Sequence, residues 1–262
     1  MPDEPLHDVP TDAKTLVVVP TYNEAGNLFT LIAELQALGV PGLAVLIVDD
    51  NSPDGTGRVA DTLADRLPGF VNVRHRPQKL GLGRAYVDGF QQALGMGADY
   101  VFQMDADFSH PPGAIPTMLA AIQECDVVVG SRYVAGGELD ERWSWWRRFL
   151  SWWANEVWSR GLLRLRAHDI TAGFKCWRRA TLLGIGLNQV RCNGYAFQVE
   201  MAYLSERLGY TTKEIPIYFE DRRIGKSKMT VPVKLEAAWR VIQIRLRYGG
   251  LRNAARVECQ RV

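Results

Sequence analysis

The chain has 262 residues, 47% of them hydrophobic, and its 31 basic and 29 acidic residues give a formal net charge of +2. This length and composition predict a globular protein with a sizeable core, and the charge balance argues against nucleic acid or another general polyanion as a partner. The four cysteines form no C-x-x-C pair and have no zinc-type spacing, which is typical of thiols in a reducing compartment and favours the cytosolic side.

The two ends and the overall hydropathy limit what the chain does at a membrane. Residues 1–13 contain three prolines and four acids without a basic and then apolar leader, so we expect a flexible arm and no secretory signal. Residues 249–262 alternate arginine with small residues and are expected to form a loose basic tail. No run of about 18 apolar residues occurs, so any membrane contact should be peripheral.

The first half alternates short apolar runs with segments of helical periodicity. Strands are predicted at Thr15–Pro20, Leu43–Asp49, Val71–His75, Tyr100–Met104 and Asp126–Gly130, and helices at Glu24–Leu38, Thr56–Leu67, Leu82–Gly95 and Pro112–Glu124. The alternation predicts an α/β fold with a mostly parallel, doubly wound sheet flanked by helices. Ligands of such sheets bind beyond the carboxyl ends of the strands, where the polar motifs of this chain fall.

The second half has a different pattern. A Trp and Arg cluster at Trp143–Trp153 opens a predicted helix that reaches about Leu165, and a polar turn, HDITAGF, follows it. Further elements are predicted as a helix near Tyr195–Leu208, a strand at Thr212–Phe219 and a helix at Val231–Tyr248. We expect one domain over residues 14–248.

Asp105 and Asp107 bracket Ala106 directly after the fourth predicted strand. Two carboxylates one residue apart at the mouth of a sheet offer oxygen ligands to Mg²⁺ or Mn²⁺, with phosphates supplying the rest. Short D-x-D matches also occur in ordinary turns after strands, so this motif alone leaves both interpretations open.

Two other strand ends carry polar groups. Tyr22 offers a flat face to a base and ribose, and Glu24 an acceptor for the purine edge or ribose, although Glu24 is also a favourable acid at a helix start. Asp49 and Asp50 should point to opposite faces, one structural and one toward a ligand. Asp54–Thr56 is expected only to cap the next helix.

Glycines precede the third helix, and a basic residue follows the fifth strand. Gly81 and Gly83, after Lys79, lack the third glycine of a dinucleotide fingerprint, so a Rossmann dehydrogenase is disfavoured and ordinary helix entry is preferred. Arg132 in GSRY should point at the same rim as Asp107 and face an anion.

Five of the eight tryptophans lie between Trp143 and Trp153, interleaved with Arg147 and Arg148. This composition suits a lipid interface, while a packed cluster in the core or in a dimer contact stays open. A nucleic-acid stacking surface is disfavoured by the lack of a basic excess.

Two polar segments remain. His168 has no second histidine nearby and is interpreted as a loop residue rather than a metal ligand, and Asp169 either positions a sugar or organises the turn. The loop at residues 220–229 contains Arg222, Gly225 and Lys228, and we expect a mobile flap over phosphates rather than a solvated charge run.

The strings PTYNE, DDNSPDGT, DAD, GSRY, ITAGFKCW and RxxGKSK occur in this order over residues 16–229. Together they resemble the dolichol-phosphate or polyprenol-phosphate mannose synthases of glycosyltransferase family 2. The resemblance covers most of the chain and implies a GT-A fold and a metal-dependent enzyme. It also implies transfer of mannose from GDP-mannose to a dolichyl or polyprenyl phosphate, with inversion at the anomeric carbon.

The resemblance also implies site residues. The positions that match the nucleotide site are Pro20, Tyr22, Glu24, Val48 and Asp50, and those that match the donor and metal segment are Asp105, Ala106 and Asp107. Contacts to the donor or acceptor phosphate match Arg132, Arg222 and Lys228, and the acceptor-phosphate site matches Arg147 and Ser151. Some members carry Gln where this chain has Ser109, so the third metal ligand is Ser109, a water or a phosphate oxygen.

The acceptor chemistry sets an expectation about proton transfer. A phosphate monoester with a second pKa of about 6 is largely dianionic at pH 7 and attacks without losing a proton. We therefore expect no essential carboxylate base, but a cation at the departing diphosphate and arginines at the acceptor, namely Arg132, Arg147 and Arg222.

Alternatives remain at the level of activity. The donor could be UDP-glucose or a related nucleotide sugar, or the chain could be a non-catalytic, nucleotide-sugar-binding subunit that recruits a partner to membranes. A nucleotidyltransferase is disfavoured because PTYNE stands where its Gly-rich, Lys-containing loop belongs. The expected location is the cytosolic membrane face, with a separate anchoring subunit as a further expectation.

Overall fold

A computed structural model of the chain describes residues 13–220 and 231–251, with side chains described from residue 236 onward in the second range. The strands are β1 (Thr15–Thr21), β2 (Leu43–Asp49), β3 (Val71–His75), β4 (Tyr100–Gln103), β5 (Val127–Ser131), β6 (Glu138–Leu139), β7 (Lys175–Arg178), β8 (Thr212–Pro216) and β9 (Tyr218–Phe219). The helices are α1 (Ala25–Ala37), α2 (Thr56–Arg66), α3 (Leu82–Gly95), α4 (Ile115–Ala121), α5 (Trp145–Trp152), α6 (Gly161–Leu163), α7 (Arg179–Ile185), α8 (Ala196–Arg207) and α9 (Val231–Tyr248). A π-helical segment, Trp153–Arg160, joins α5 to α6.

Seven strands form one sheet in the order β3-β2-β1-β4-β7-β5-β8. All neighbours pair in parallel except β7, which runs antiparallel to both β4 and β5. The short strands β6 and β9 pair with each other in a separate parallel ladder. The predicted α/β class with a mostly parallel central sheet is therefore confirmed.

Side chains on β1 show why helices cover both faces of the sheet. Every residue of this strand is buried, and successive side chains point to opposite faces. Val17 and Val19 pack with the apolar faces of α1, α2 and α4, whereas Leu16 and Val18 pack with those of α3 and α8. Gly89 brings α3 close to the sheet, because a Cβ there would overlap Cγ1 of Val18.

Most elements of the first half lie where the sequence predicted them, within one residue at each end. The predicted helix Pro112–Glu124 is interrupted: α4 stands between two short 3₁₀ turns, Pro112–Ala114 and Ile122–Glu124. Pro116 has no N–H to donate to a carbonyl in the preceding turn, so a continuous α-helical ladder cannot cross it.

The second half departs more from prediction. The strand predicted at Thr212–Phe219 is wrong as one element, because the chain leaves the main sheet at Pro216 and continues as β9 in the small sheet. The helix expected to reach Leu165 ends at Leu163, where Arg164 adopts a left-handed conformation with φ of 56°. β7 and α7 were not predicted.

No helix within the described ranges combines the length and the hydropathy that crossing a bilayer requires.

Candidate active site

Several loops meet at one edge of the sheet. The parallel strands β1, β2, β4 and β5 all end at this edge, which carries the motifs PTYNE, DDNSPDGT, DAD and GSRY. Since β7 runs in the opposite direction, its beginning lies at the same edge and brings the HDITAGF turn there. This shared edge is the candidate active site.

Asp105 is fixed at two points by buried rings. Its Oδ1 accepts a hydrogen bond from Oη of Tyr86 at 2.6 Å, and its backbone N–H donates to Nδ1 of His110 at 2.9 Å. Burial raises the pKa of Tyr86 well above its ordinary value, and the Asp105 charge adds to the shift. The phenol is therefore a hydrogen-bond donor to the carboxylate throughout the physiological pH range.

Asp107 is held within its own turn. Its Oδ1 accepts from the hydroxyl of Ser109 at 2.6 Å and from the Ser109 backbone N–H at 3.2 Å. The chain between these residues turns through Phe108, which adopts a left-handed conformation with φ of 65°. Such a conformation is strained in a residue other than glycine, and it is a feature of the kind that clusters at functional sites.

The carboxylates of this turn fit a cation that is shared with a substrate. Over the part of the chain that the structure describes, no cluster of three or more His, Cys, Asp or Glu side chains could hold a metal. Asp105 and Asp107 thus offer two carboxylates, and Ser109 directs its hydroxyl proton to Asp107. Mg²⁺ and Mn²⁺ bind through one or two carboxylates when waters and phosphate oxygens complete the shell, so this donor set is sufficient for them.

At the end of β1, Lys79 lies over the ring of Tyr22, on which the sequence predicted that a nucleotide base would stack. Its Nζ lies 3.5 Å from the centroid of the Tyr22 ring. Glu24 stands at the start of α1, where its Oε2 accepts from Nδ2 of Asn27 at 2.7 Å and its backbone N–H donates to Oγ1 of Thr56 at 2.9 Å. The Glu24 carboxylate is thus tied to its own helix in this conformation.

Asp54 links the two predicted nucleotide loops. Its Oδ1 accepts from the backbone N–H and the hydroxyl of Thr56, at 3.0 and 2.5 Å, at the start of α2. Its Oδ2 accepts from the backbone N–H of Ala25 at 3.2 Å. Asp54 therefore does more than cap α2, because it also binds the first residue of α1.

The adjacent carboxylates at the end of β2 have different partners. Asp49 accepts from the hydroxyl of Ser52 at 2.6 Å and holds the turn. Asp50 forms an ion pair with Arg76, whose Nε also donates to Asp88 at 2.7 Å. Burial raises the pKa of Asp50, although the charge of Arg76 opposes the shift. Arg76 was missed in the sequence, where an arginine after a strand gives no sign that it is buried.

The remaining predicted nucleotide positions lie close together at the same edge. Pro20 and Val48 are register partners in the β1–β2 ladder, and Ala106 is buried between the two aspartates of the DAD turn.

The guanidinium group of Arg132 is paired with protein groups rather than open to solvent. Its Nε and Nη2 donate to the two carboxylate oxygens of Asp169, both at 2.7 Å, and Nη2 also donates to Oγ1 of Thr171 at 2.8 Å. Burial alone would raise the pKa of Asp169, but the Arg132 charge outweighs it and lowers the pKa. Asp169 thus organises the turn, which is one of its two predicted roles, and it does so through Arg132.

The predicted acceptor-phosphate residues Arg147 and Ser151 both lie on α5. The hydroxyl of Ser144 accepts from the backbone N–H of Arg147 at 3.3 Å and caps the helix. The guanidinium carbon of Arg147 lies 3.7 Å from the centroid of the Trp143 ring, and the hydroxyls of Ser151 and Tyr133 are 2.8 Å apart. Tyr133 follows Arg132 directly, so the helix and the GSRY loop are joined by this hydrogen bond.

None of the residues of α5 is buried, so the alternative of a packed tryptophan core is wrong for this helix. The aromatic side chains of α5, together with Trp153 directly after it, recur at helical spacing and form an exposed aromatic stripe. The stripe comprises Trp145 (74% exposed), Trp146 (56%), Phe149 (45%), Trp152 (45%) and Trp153 (40%). Exposed aromatic residues on one face of a helix are typical of an interaction surface.

Arg222 and Lys228, together with most of the predicted phosphate loop, lie outside the described residues.

Comparisons with known proteins identify the family of the chain. The profile of the family described as glycosyl transferase family 2 matches residues 16–178. The chain is 42% identical over 241 residues to a Micrococcus luteus protein named undecaprenyl-phosphate mannosyltransferase, which covers 91% of this chain and 98% of that protein. It is 41% identical over 242 residues to the polyprenol monophosphomannose synthase of Mycolicibacterium smegmatis, covering 92% of this chain and 90% of that protein.

Solved structures with low sequence identity share the fold. Glucosyl-3-phosphoglycerate synthase from Mycobacterium tuberculosis, solved with Mn²⁺, UDP and glucosyl-3-phosphoglycerate, superposes with a TM-score of 0.66 at 17% identity and covers 93% of this chain and 82% of that chain. Mannosyl-3-phosphoglycerate synthase from Rubrobacter xylanophilus gives 0.64 at 19% identity and covers 90% and 74%. The fold is thus the GT-A fold of sugar-nucleotide transferases. From the match over residues 16–178 and the two full-length relatives, the chain belongs to glycosyl transferase family 2.

Proposed function

We propose that this protein transfers mannose from GDP-mannose to a polyprenyl monophosphate, with inversion at the anomeric carbon and with Mg²⁺ or Mn²⁺. The observation that carries the proposal is the identity of 42% and 41%, over nine-tenths of the chain, to two proteins named for mannosyl transfer to polyprenol phosphates.

The donor would bind at the ends of β1, β2 and β4. The proposed nucleotide positions surround Tyr22 and Asp50, and the diphosphate would reach the DAD turn between them and β5. When bound, the cation would neutralise charge on the departing diphosphate. Asp105 and Asp107 would hold it, and the hydrogen bond from Ser109 would keep the Asp107 carboxylate oriented.

The acceptor would enter from the side of α5. Arg132 and Arg147 lie on that side, and Arg222 is the third cation proposed for the acceptor phosphate. An ionised phosphate oxygen needs no proton acceptor when it attacks the anomeric carbon. The buried carboxylate of Asp169 would be a poor proton acceptor, because Arg132 donates to both its oxygens and lowers its pKa.

The aromatic stripe would bring the site to the membrane. Tryptophan rings partition to the level of the lipid headgroups, and arginines beside them meet phosphates. We propose that α5 lies on the cytosolic face of the membrane, where a lipid acceptor presents its phosphate. A separate anchoring subunit would strengthen the membrane contact that the aromatic stripe makes.

The test is an assay of the purified chain with undecaprenyl phosphate, Mg²⁺ and a panel of labelled nucleotide sugars. GDP-mannose should give a lipid product whose anomeric configuration, determined by NMR, is opposite to that of the donor. Faster turnover with UDP-glucose would replace the donor in this proposal. Tight GDP binding without turnover under any combination of metal and acceptor would favour a non-catalytic, nucleotide-sugar-binding subunit.

A further inference from the structure

We propose that Tyr86 is a positioning residue that fixes the carboxylate of Asp105 for the cation of the donor diphosphate. The inference rests on the proposed metal-dependent transfer and goes beyond it, because it assigns a role to a residue of α3 that none of the motifs includes. Tyr86 is fully buried and acts only through Asp105.

The contact itself is short and directional. The distance of 2.6 Å from Oη of Tyr86 to Oδ1 of Asp105 is in the range of hydrogen bonds between a hydroxyl and an ionised carboxylate. It commits one oxygen of the carboxylate. The other oxygen, Oδ2, lies on the side of Gly173, since a Cβ at that residue would be 3.6 Å away from it.

Packing against neighbouring rings fixes the ring of Tyr86 and therefore the position of its hydroxyl. It stacks on Phe197 of α8 with the ring planes 4° apart and the centroids 5.7 Å apart, and Phe90 lies 5.8 Å away. A hydroxyl on such a ring cannot follow the carboxylate if the carboxylate rotates. The hydrogen bond therefore selects one orientation of Asp105, which is the function of groups that support a metal ligand.

A second buried ring fixes the main chain of the same residue. The imidazole of His110 accepts the N–H of Asp105 and stacks on Phe174 with the centroids 5.3 Å apart and the planes 9° apart. Gly173 makes room for this ring, because a Cβ there would lie 2.8 Å from Cε1 of His110. Asp105 is thus held from α3 through its side chain and from the DAD turn through its backbone.

The carboxylate of Asp107 is oriented in a different way from that of Asp105. Its hydrogen bonds from Ser109 come from two residues away in the same turn. The orientation of Asp105 instead depends on a helix that is 19 residues away in sequence. A change on α3 should therefore alter metal binding although no metal ligand is changed.

Tyr86→Phe tests this inference, because it removes one hydroxyl and keeps the ring. The affinity of the purified full chain for Mn²⁺ in the presence of GDP would be measured by EPR and by calorimetry. We expect the apparent Kd for Mn²⁺ to rise roughly tenfold, as when outer-shell partners of metal ligands are removed. The Mn²⁺ concentration for half-maximal transfer should rise by the same factor, with kcat at saturating Mn²⁺ and the KM for undecaprenyl phosphate within about twofold of the wild type.

The chain offers a matched control in Tyr248, whose Oη also donates to a carboxylate, that of Glu200, at 2.8 Å. Tyr248→Phe should lower thermal stability and leave the Mn²⁺ affinity unchanged. An equal loss of Mn²⁺ affinity in both variants would show a general effect of stability and overturn the inference.

The remaining outcomes separate this inference from the proposed function. If the wild type with GDP binds no Mn²⁺ or Mg²⁺, the metal-dependent function itself fails. If the wild type binds Mn²⁺ and Tyr86→Phe binds it equally well, only the role of Tyr86 is wrong. Should Tyr86→Phe not fold, Gly173→Ala is the second variant, because its methyl group would lie 2.8 Å from Cε1 of His110 and 3.6 Å from Oδ2 of Asp105. Unchanged Mn²⁺ affinity in that variant overturns the claim that the position of Asp105 limits metal binding.

Discussion

Arg132 and Asp169 form a two-point ion pair, with both hydrogen bonds 2.7 Å long, between the loop after β5 and the turn before β7. The backbone N–H of Arg132 donates to the same carboxylate at 3.0 Å. Asp169 in turn is placed by Glu214 on β8, which accepts its N–H at 2.8 Å. Two loops that are far apart in sequence are thus joined beside the candidate acceptor site.

Asp169→Asn should destabilise the fold by about 3 to 5 kcal/mol, because it leaves the buried Arg132 charge without its partner. Urea unfolding at pH 7 measures the loss. Glu236→Gln is the control, since Glu236 pairs with Arg240 one helical turn away at an exposed site, where such a pair contributes less than about 1 kcal/mol. Equal losses in the two variants would contradict the importance of the buried pair.

Removal of the divalent ion should stop the reaction. We expect excess chelator to abolish turnover and added Mn²⁺ or Mg²⁺ to restore it, and we expect Asp107→Ala to lower kcat/KM by about 10²- to 10³-fold. The exposed carboxylate of Asp61, which pairs with His75, provides the control variant Asp61→Asn with unchanged kinetics. Full activity in chelator would exclude the role given to the DAD turn.

The pH profile should report the acceptor rather than the protein. Because the dianionic phosphate is the nucleophile, kcat/KM should rise with pH through about 6 and then stay level. Asp169 does not contribute an inflection there, since its pKa is lowered and it stays ionised. An acceptor analogue with a lower second pKa should shift the inflection to lower pH by the difference between the two pKa values. An inflection that stays at the same pH would indicate a side-chain base.

Lys175 should make the stability of the fold depend on pH. Burial lowers its pKa from 10.5 to about 7; Asp169 opposes this shift, and Arg132 adds to it. Between these values the unfolded chain binds a proton that the folded chain lacks, so stability rises with pH by up to about 1.4 kcal/mol per unit from this group. Below pH 7 the charged form is present in both states and the full cost of its burial remains.

Lys175→Met isolates that contribution. The free energy of unfolding of the wild type minus that of the variant should increase steadily between pH 7 and pH 10, as measured by urea unfolding at each pH. Lys213→Met, which removes an exposed lysine paired with Glu124, should give no such increase over this range. A constant difference for Lys175→Met would mean that the buried amine keeps its ordinary pKa.

Loss of aromatic side chains from the stripe should weaken membrane binding. We expect Trp146→Ser combined with Phe149→Ser to lower partitioning to vesicles with anionic lipid by at least about tenfold, because both rings would lie in the headgroup layer. Leu183→Ser, which removes an exposed apolar residue of α7, should not change partitioning. Cosedimentation of the three proteins with vesicles gives the comparison, and equal binding of all three would contradict an interfacial α5.

The sequence predicted the parts of the fold that depend on local pattern. β2, β3 and α3 have the predicted bounds because apolar runs, helical spacing and glycine turns are short-range signals. β7 escaped prediction because its four residues begin and end with the basic residues Lys175 and Arg178, and because its neighbours come from distant parts of the chain.

The candidate site followed the same division. The strand-end carboxylates and Arg132 were visible as motifs, and the family they indicated is confirmed. Their hydrogen-bond partners were not visible, because these contacts are set by the packing of elements that are remote in sequence. The pairs are Arg76 with Asp50, Tyr86 with Asp105 and Asp169 with Arg132. Whether Arg222 and Lys228 contact phosphate stays a prediction.

The order of the strands has a consequence for how the protein is made. Within the described residues, β1 to β4 are joined by helical crossovers and can assemble as they are synthesised, whereas β5 pairs with β7 and β8, which come later in the chain. The edge of β4 therefore stays open until β7 has been made, and β8 completes the sheet only after Pro216. Late, long-range pairing of this kind is slow and prone to aggregation. The GSRY loop should be among the last parts of the newborn protein to reach its final place.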